Sequence, residues 1–226
     1  MQPIRNSKEI SIGLFLLGSQ KPRPLSTFET EIVRLWTLTA GFVIEKERLN
    51  RENHFLAYYD YLTRIPNRRL FHERLTRELS LAQSMLTGRC VALLDLNDFK
   101  EINDRWGHDQ GDLVLVIVAD RMTQVIRRMD TVARMGGDEF AFIFPALPPV
   151  EVNVMVENIL RAVRQPIVTQ AVTLEISASI GIASYPADGT DGSTLLRKAD
   201  IALYAAKRAR LAGTSDGMKW AGSDAP

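Results

Sequence analysis

The chain has 226 residues, of which 46 % are hydrophobic and 24 % charged, with a formal net charge of +1. That length holds one full α/β domain plus an accessory element, and the near-neutral balance supplies no field for a nucleic-acid polymer. The single cysteine, Cys90, excludes an internal disulfide and reads as a small core residue.

No apolar run reaches the length of a membrane span. The best, residues 10–18, follows Arg5 and Lys8 in the manner of a signal peptide. It is read here as a buried strand, and the expected location is the cytoplasm. Residues 1–24 otherwise hold only a Gly/Pro-rich break ending at Pro24. One strand does not bury itself, so this piece is a remnant of a larger module or needs a partner. Residues 10–17, with 23–29 behind them, resemble the closing strand and last helix of a GAF-type sensor domain.

Residues 25–59 read as one long signalling helix. Ser26 or Thr27 caps it, and Glu29 is spaced to complete a capping box from Ser26. Phe28, Leu35, Phe42, Leu49 and Leu56 recur every seven residues, the pattern of a two-helix seam. The complementary positions Ile32, Thr39, Lys46 and Asn53 turn polar toward the end, which makes the seam marginal and register-sensitive. A homodimer is the expectation.

A compact domain is expected over 60–211. Pro66 pushes Ile65 out of helical geometry, and Asn67 is suited to cap a helix over 68–83. Residues 90–96 form a nearly continuous apolar run ending around Asp95, as in a buried central strand that delivers an acid to its C-terminal edge. The glycine-punctuated stretch 97–112 predicts a short turn or helix, a loop, then a helix over 109–128. Its inward set would be Leu113, Val114, Ile117, Val118, Met122 and Val125. Asn103 and Asp112 carry groups that pair with guanine edges, and Lys100 suits a phosphate as a point charge.

Two apolar runs, 131–135 and 140–144, flank Gly136-Gly137-Asp138-Glu139 and predict a β-hairpin. Glycine supplies positive φ, and its missing Cβ lets a bulky ligand approach the backbone. Paired acids on such a turn suit a divalent cation that carries phosphates. A helix over 150–164 follows, then one long or two short strands over 172–183 with Ile176, Ala178, Ile180 and Ile182 alternating. The last helix spans 193–211, and 212–226 read as a disordered tail.

Separated blocks of the chain now resemble one family. Asp60-Tyr61-Leu62-Thr63-Arg64-Ile65-Pro66-Asn67-Arg68 resembles its opening motif. Leu94-Asp95-Leu96-Asn97-Asp98-Phe99-Lys100, with Asn103-Asp104, Gly107-His108 and Gly111-Asp112, resembles its metal and guanine motif. Gly136-Gly137-Asp138-Glu139-Phe140 resembles its signature, and Ala199-Asp200 with Ala202-Leu203-Tyr204-Ala205-Ala206-Lys207 its closing helix. The family is that of the GGDEF diguanylate cyclases.

The resemblance implies an α+β fold, an α/β sandwich like the nucleotidyl cyclase and polymerase palm, with a central antiparallel sheet. It implies that two GTP become cyclic di-GMP and two pyrophosphates, one GTP on each subunit of a homodimer. Mg²⁺ (or Mn²⁺) would be held by Asp95, the Leu96 carbonyl and Asp138, with Glu139 assisting. Asp138 is the implied proton acceptor. Asn103 and Asp112 would read guanine, and His108 would line that pocket. Lys100 and Lys207 would contact phosphates, and Gly136 and Gly137 would leave room for the nucleotide. Arg127 and Asp130, expected one helical turn apart, match the family's product-inhibition site for cyclic di-GMP.

Two departures stand out. Asp98 adds a negative charge where relatives carry an aromatic or His, and Leu211 stands where an arginine usually follows Lys207. They keep an alternative open: a degenerate module that receives GTP or cyclic di-GMP without turnover.

Overall fold

The computed structural model describes residues 2–5, 11–15, 24–169, 172–213 and 217–221. The chain divides into two compact units, Met1–Ala57 and Tyr58–Pro226. In the first, β1 (Gln2–Arg5) pairs antiparallel with β2 (Ser11–Phe15), Gln2 opposite Phe15. The expectation of a lone strand is thereby corrected. Residues 2–5 contain Pro3 and Arg5 and show no clean alternation, so pairing rather than pattern makes them a strand. Ile10, Leu16, Leu17 and the break at 18–23 lie outside the described residues.

Helix α1 spans Thr27–Tyr58. Glu29 N donates to Ser26 Oγ at 3.2 Å and Ser26 N donates to Glu29 Oε2 at 2.8 Å, which closes the capping box. Val33 and Thr37 are buried, yet Phe28, Leu35 and Phe42 of the seven-residue repeat are 74 %, 66 % and 71 % exposed. Among the described residues no helix is long and apolar enough to cross a membrane.

The second unit begins with α2 (Arg68–Met85), capped where Leu70 N donates to Asn67 Oδ1 at 3.1 Å. Then follow β3 (Arg89–Asn97), α3 (Phe99–Trp106), α4 (His108–Val125), β4 (Thr131–Gly136), β5 (Glu139–Pro145) and α5 (Pro149–Val163). The short strands β6 (Ile167–Val168) and β7 (Thr173–Leu174) form their own hairpin. β8 (Ser177–Tyr185), α6 (Gly192–Leu211) and β9 (Met218–Trp220) complete the chain.

The main sheet has the order β4-β5-β3-β8-β9, antiparallel except for β8–β9. β3 is central and its two faces build two cores, which is why its sequence is apolar almost throughout. Cys90, Ala92, Leu94 and Leu96 share one core with Val118, Met122 and Val156 of α4 and α5. Val91 lies in the other with Phe71, Leu75 and Leu195 of α2 and α6, and Leu93 packs against it. Burial, and then the nearby Asp188 charge, pushes the Cys90 thiol up to about 12, as suits an inert core residue.

Three expectations change. The stretch 97–112 folds into two helices with only Gly107 between them. On α4, Val114, Val118 and Met122 are buried and Ile117 and Val125 pack against the core as expected, but Leu113 is exposed and Leu115 is buried instead. Met218–Trp220, inside the stretch expected as a disordered tail, is a strand. It extends the sheet beside β8, and Trp220 Nε1 donates to Asn153 Oδ1 at 2.8 Å. A strand of three residues is too short to announce itself, and the open edge of β8 makes it one.

Candidate active site

The site is built where β3 ends against the β4–β5 turn. Asp95 stands opposite Glu139 on one side and Ser179 on the other. Leu96 N donates to the Asp138 carbonyl at 3.3 Å, so the turn is docked onto the end of the central strand. Gly136 and Gly137 have φ of +144° and +54°, values that residues with a Cβ rarely adopt.

Side chains fix the turn from behind. Arg134 Nε donates to the Gly137 carbonyl at 2.9 Å and its Nη1 to Asp60 Oδ1 at 3.0 Å. Arg68 Nε donates to the Met135 carbonyl at 3.1 Å. Burial by itself would raise the Asp60 carboxyl, but hydrogen bonds from the Thr63 side chain and backbone and from Arg134 outweigh it. They hold Asp60 below the ordinary carboxylate range. The role of this Asp60–Arg134 anchor is absent from the sequence reading, because pairing across 74 positions leaves no local pattern.

The carboxylates of Asp138 and Glu139 make no hydrogen bond or ion pair among the described residues. Asp95 accepts from Lys207 Nζ at 2.7 Å, with α6 supplying the lysine. Burial raises the Asp95 pKa, Lys207 lowers it, and the neighbouring Asp138 charge raises it again, with the net direction upward. Asp95 and Asp138 therefore feel one another. Among the described residues no group of three His, Cys, Asp or Glu is gathered as a closed metal cage. What is present is a small set of hard oxygen donors, two neighbouring carboxylates and the end of a strand. That set fits a cation such as Mg²⁺, which takes the rest of its shell from water and substrate phosphates.

Arg210, one turn beyond Lys207, pairs with Asp98, Nη1 to Oδ2 at 3.3 Å. Asp98 is the N-terminal flank of α3 and sits in the left-handed region (φ +59°, ψ +20°) without capping the helix. Leu211 is exposed. Asn97 is buried and neutral, its amide donating to Ser177 Oγ at 3.0 Å and its carbonyl oxygen accepting from Ser179 Oγ at 2.9 Å.

On the other flank, Asn103 lies on α3 over Gly111 of α4, next to Asp112. A Cβ on Gly111 would stand 1.9 Å from Asn103 Oδ1, so this glycine is what seats the carboxamide. Lys100 and His108 are exposed and make no hydrogen bond or ion pair among the described residues. A cavity of about 410 Å³ opens beside Glu139, lined by Arg68, His72, Met135, Leu196 and Asp200.

Arg127 and Asp130 meet, but not on a helix. α4 stops at Val125, and Asp130 N donates to the Arg127 carbonyl at 2.9 Å in a β-turn. The expected helical spacing is corrected: Ile126 is already extended (ψ 159°), which ends α4 before the pair. Arg127 Nη2 donates to Asp130 Oδ1 at 2.6 Å and to the Pro145 carbonyl at 3.0 Å. The Asp130 side chain is fully buried, and its hydrogen bonds, then its charge, raise the Arg127 pKa further.

The profile of the family described as "Diguanylate cyclase, GGDEF domain" matches residues 57–211. The chain is 41 % identical over 176 residues to the bifunctional diguanylate cyclase/cyclic di-GMP phosphodiesterase MucR of Pseudomonas aeruginosa, covering 77 % of this chain and 25 % of that protein. The isolated GGDEF domain of P. aeruginosa TpbB (YfiN) superposes with a TM-score of 0.68 at 39 % identity, over 73 % of this chain and 94 % of that one. The coiled coil and GGDEF domain of DgcB from Caulobacter crescentus, solved with cyclic di-GMP, gives a TM-score of 0.71 at 31 % identity, over 84 % and 99 %. The chain spans 19 % to 38 % of the length of the curated relatives it matches first.

Proposed function

The chain belongs to the GGDEF domain family, and from that premise we propose that it condenses two GTP into cyclic di-GMP with release of two pyrophosphates. The observation that carries this reading is the cluster at the end of β3. Asp95 stands opposite Glu139 and feels the Asp138 charge there, beside a turn the protein holds from behind, and the two turn carboxylates have no partner among the described residues.

Mg²⁺ or Mn²⁺ would be held by Asp95, the Leu96 carbonyl and Asp138, with Glu139 assisting. When bound it polarises the α-phosphoryl group and makes the attacking 3′-hydroxyl more acidic. Asp138 takes the proton of that hydroxyl. Asn103 and Asp112 read the guanine edge, His108 closes that pocket, and Lys100 and Lys207 hold phosphates. Gly136 and Gly137 keep the backbone low enough for the nucleotide to lie across it.

Each subunit holds one GTP, so catalysis needs two sites face to face. The exposed heptad face of α1 supports a homodimer, and GTP as substrate supports a cytoplasmic site. Arg127 and Asp130 bind the product and inhibit. Opened, the pair offers a fork donor to phosphate and an acceptor to guanine N1–H.

The test is cyclic di-GMP formation from GTP and Mg²⁺ by the purified chain beside Asp138→Ala. Turnover that vanishes in the variant supports the cyclase. Absence of turnover at every protein concentration, with cyclic di-GMP still bound, replaces it with the receptor reading.

A further inference from the structure

A second cleft lies apart from the catalytic cluster. It has a volume of about 870 Å³ and runs between α3 and residues 172–177, from the start of β7 to the start of β8. Clefts that take ligands measure about 300–1,000 Å³. Asp95, Asp138, Glu139 and Lys207 take no part in it. Its α3 wall is one helical stripe, formed by Asp98, Glu101, Ile102 and Arg105.

The facing wall is an unpaired strand edge. Ile180 N donates to the Gly217 carbonyl at 2.7 Å, so even-numbered residues of β8 direct their main chain toward β9 and odd-numbered ones toward β3. Ser177 is the last of the odd set with a partner on β3, Asn97. Exposure alternates without a break from Thr173 to Ala178, so the pleat continues backward past Ser177. The Val172 carbonyl accepts from Thr169 N at 2.9 Å, which puts β6 on the β9 edge. Thr173 and Glu175 therefore present their N–H and C=O groups to α3. β3 has turned away into α3 at Asp98, and the Glu175 main chain has no hydrogen bond among the described residues. A strand edge left open in this way is a template for another chain.

The charges give that chain a direction. Asp98, Glu101 and Glu175 lie toward the end where Ser177 meets Asn97. Arg105 and Arg164 lie toward the other, where Ile167, three residues after Arg164, pairs with Leu174. Arg105 is held over the Trp106 ring, 5.0 Å from its centroid, which keeps its charge at that end. Ile102, Leu174 and Ile176 supply apolar surface for side chains that alternate inward.

We propose that this cleft docks an extended peptide of a partner protein. The peptide adds antiparallel to residues 172–177, in line with β3, so that a strand lies between an open edge and a helix. A basic residue sits toward Asn97, and an acidic one four positions later sits toward Arg164.

The experiment titrates the full chain with an acetylated, amidated heptapeptide, Thr-Lys-Val-Thr-Val-Glu-Thr, and with a twin in which lysine and glutamate trade places. Binding is read by calorimetry and located by the Glu175 amide NMR shift. The first peptide binds, and the twin binds about tenfold more weakly because its charges face like charges. Glu175→Pro removes the unpaired N–H, which an open edge tolerates, and weakens the first peptide roughly tenfold. Glu175→Gln weakens it only about threefold. N-methylation of the second, fourth and sixth peptide residues removes the same bonds from the ligand side and abolishes binding, whatever the proline does to the fold. No binding of either peptide, equal binding of both, or binding that survives N-methylation overturns the proposal.

Discussion

Asp130 at the base of the β4–β5 hairpin and Asp138 at its tip are treated in opposite ways. Asp130 accepts from the Arg127 backbone at 2.9 Å and from its guanidinium at 2.6 Å, and its side chain is fully buried. Asp138 accepts nothing through its carboxylate among the described residues, and its backbone alone is tied down, to Leu96. A carboxylate whose lone pairs are filled stabilises the fold. One left open on a fixed backbone contributes little to the fold and is free for a ligand. The first kind resists being opened, so a ligand at Arg127 and Asp130 has to compete with an existing ion pair. The second needs no rearrangement before it binds.

Substitutions at the two ends put that contrast at risk. Asp138→Ala lowers cyclic di-GMP formation about a thousandfold while leaving the urea unfolding midpoint where it was. A matching loss of stability would mean that the tip acid has a structural partner after all. Asp130→Ala does the reverse. It costs about 2 kcal/mol in urea unfolding, because a half-buried guanidinium loses its carboxylate, and it removes inhibition by product. Unchanged stability would break the comparison at its base.

Gly111→Ala probes the guanine flank, where the added methyl displaces Asn103. The KM for GTP rises about tenfold with kcat nearly unchanged; a fall in kcat alone would argue that Asn103 does not contact substrate. The smallest effect is expected behind the turn. Asp60→Asn costs about 1 kcal/mol at neutral pH, read from paired urea titrations. Asp60 is held below its ordinary value of 3.8. Its contribution is therefore fully present above that value and is lost as the pH falls through the lower folded one. Wild type and variant converge in acid, and a gap that persists there would mean the anchor is not electrostatic.

Much of this was legible beforehand wherever a signal is local. The Ser26–Glu29 box, the Asn67 cap, the apolar strand ending near Asp95 and the Gly-Gly turn each depend on residues a few positions apart, and each forms. The misreadings involve partners distant in sequence or patterns too short to see. β1 and β9 are strands because another strand's edge accepts them. On α4 only Leu113 departs from the periodic inward set, and Arg127 meets Asp130 in a turn because α4 ends early.

By itself the sequence determined the family, the order of elements and the acids on the turn, since backbone preferences and motif spacing are written in neighbouring residues. Only the tertiary structure decided which charges are spent on the fold and which are left open. Asp60 finds Arg134, Asp98 finds Arg210, Asp95 finds Lys207, and Asp138 finds none among the described residues. The physical reason is range. A charge is neutralised by whatever the folded chain brings within a few ångströms, and the sequence separation of those partners carries no trace of it.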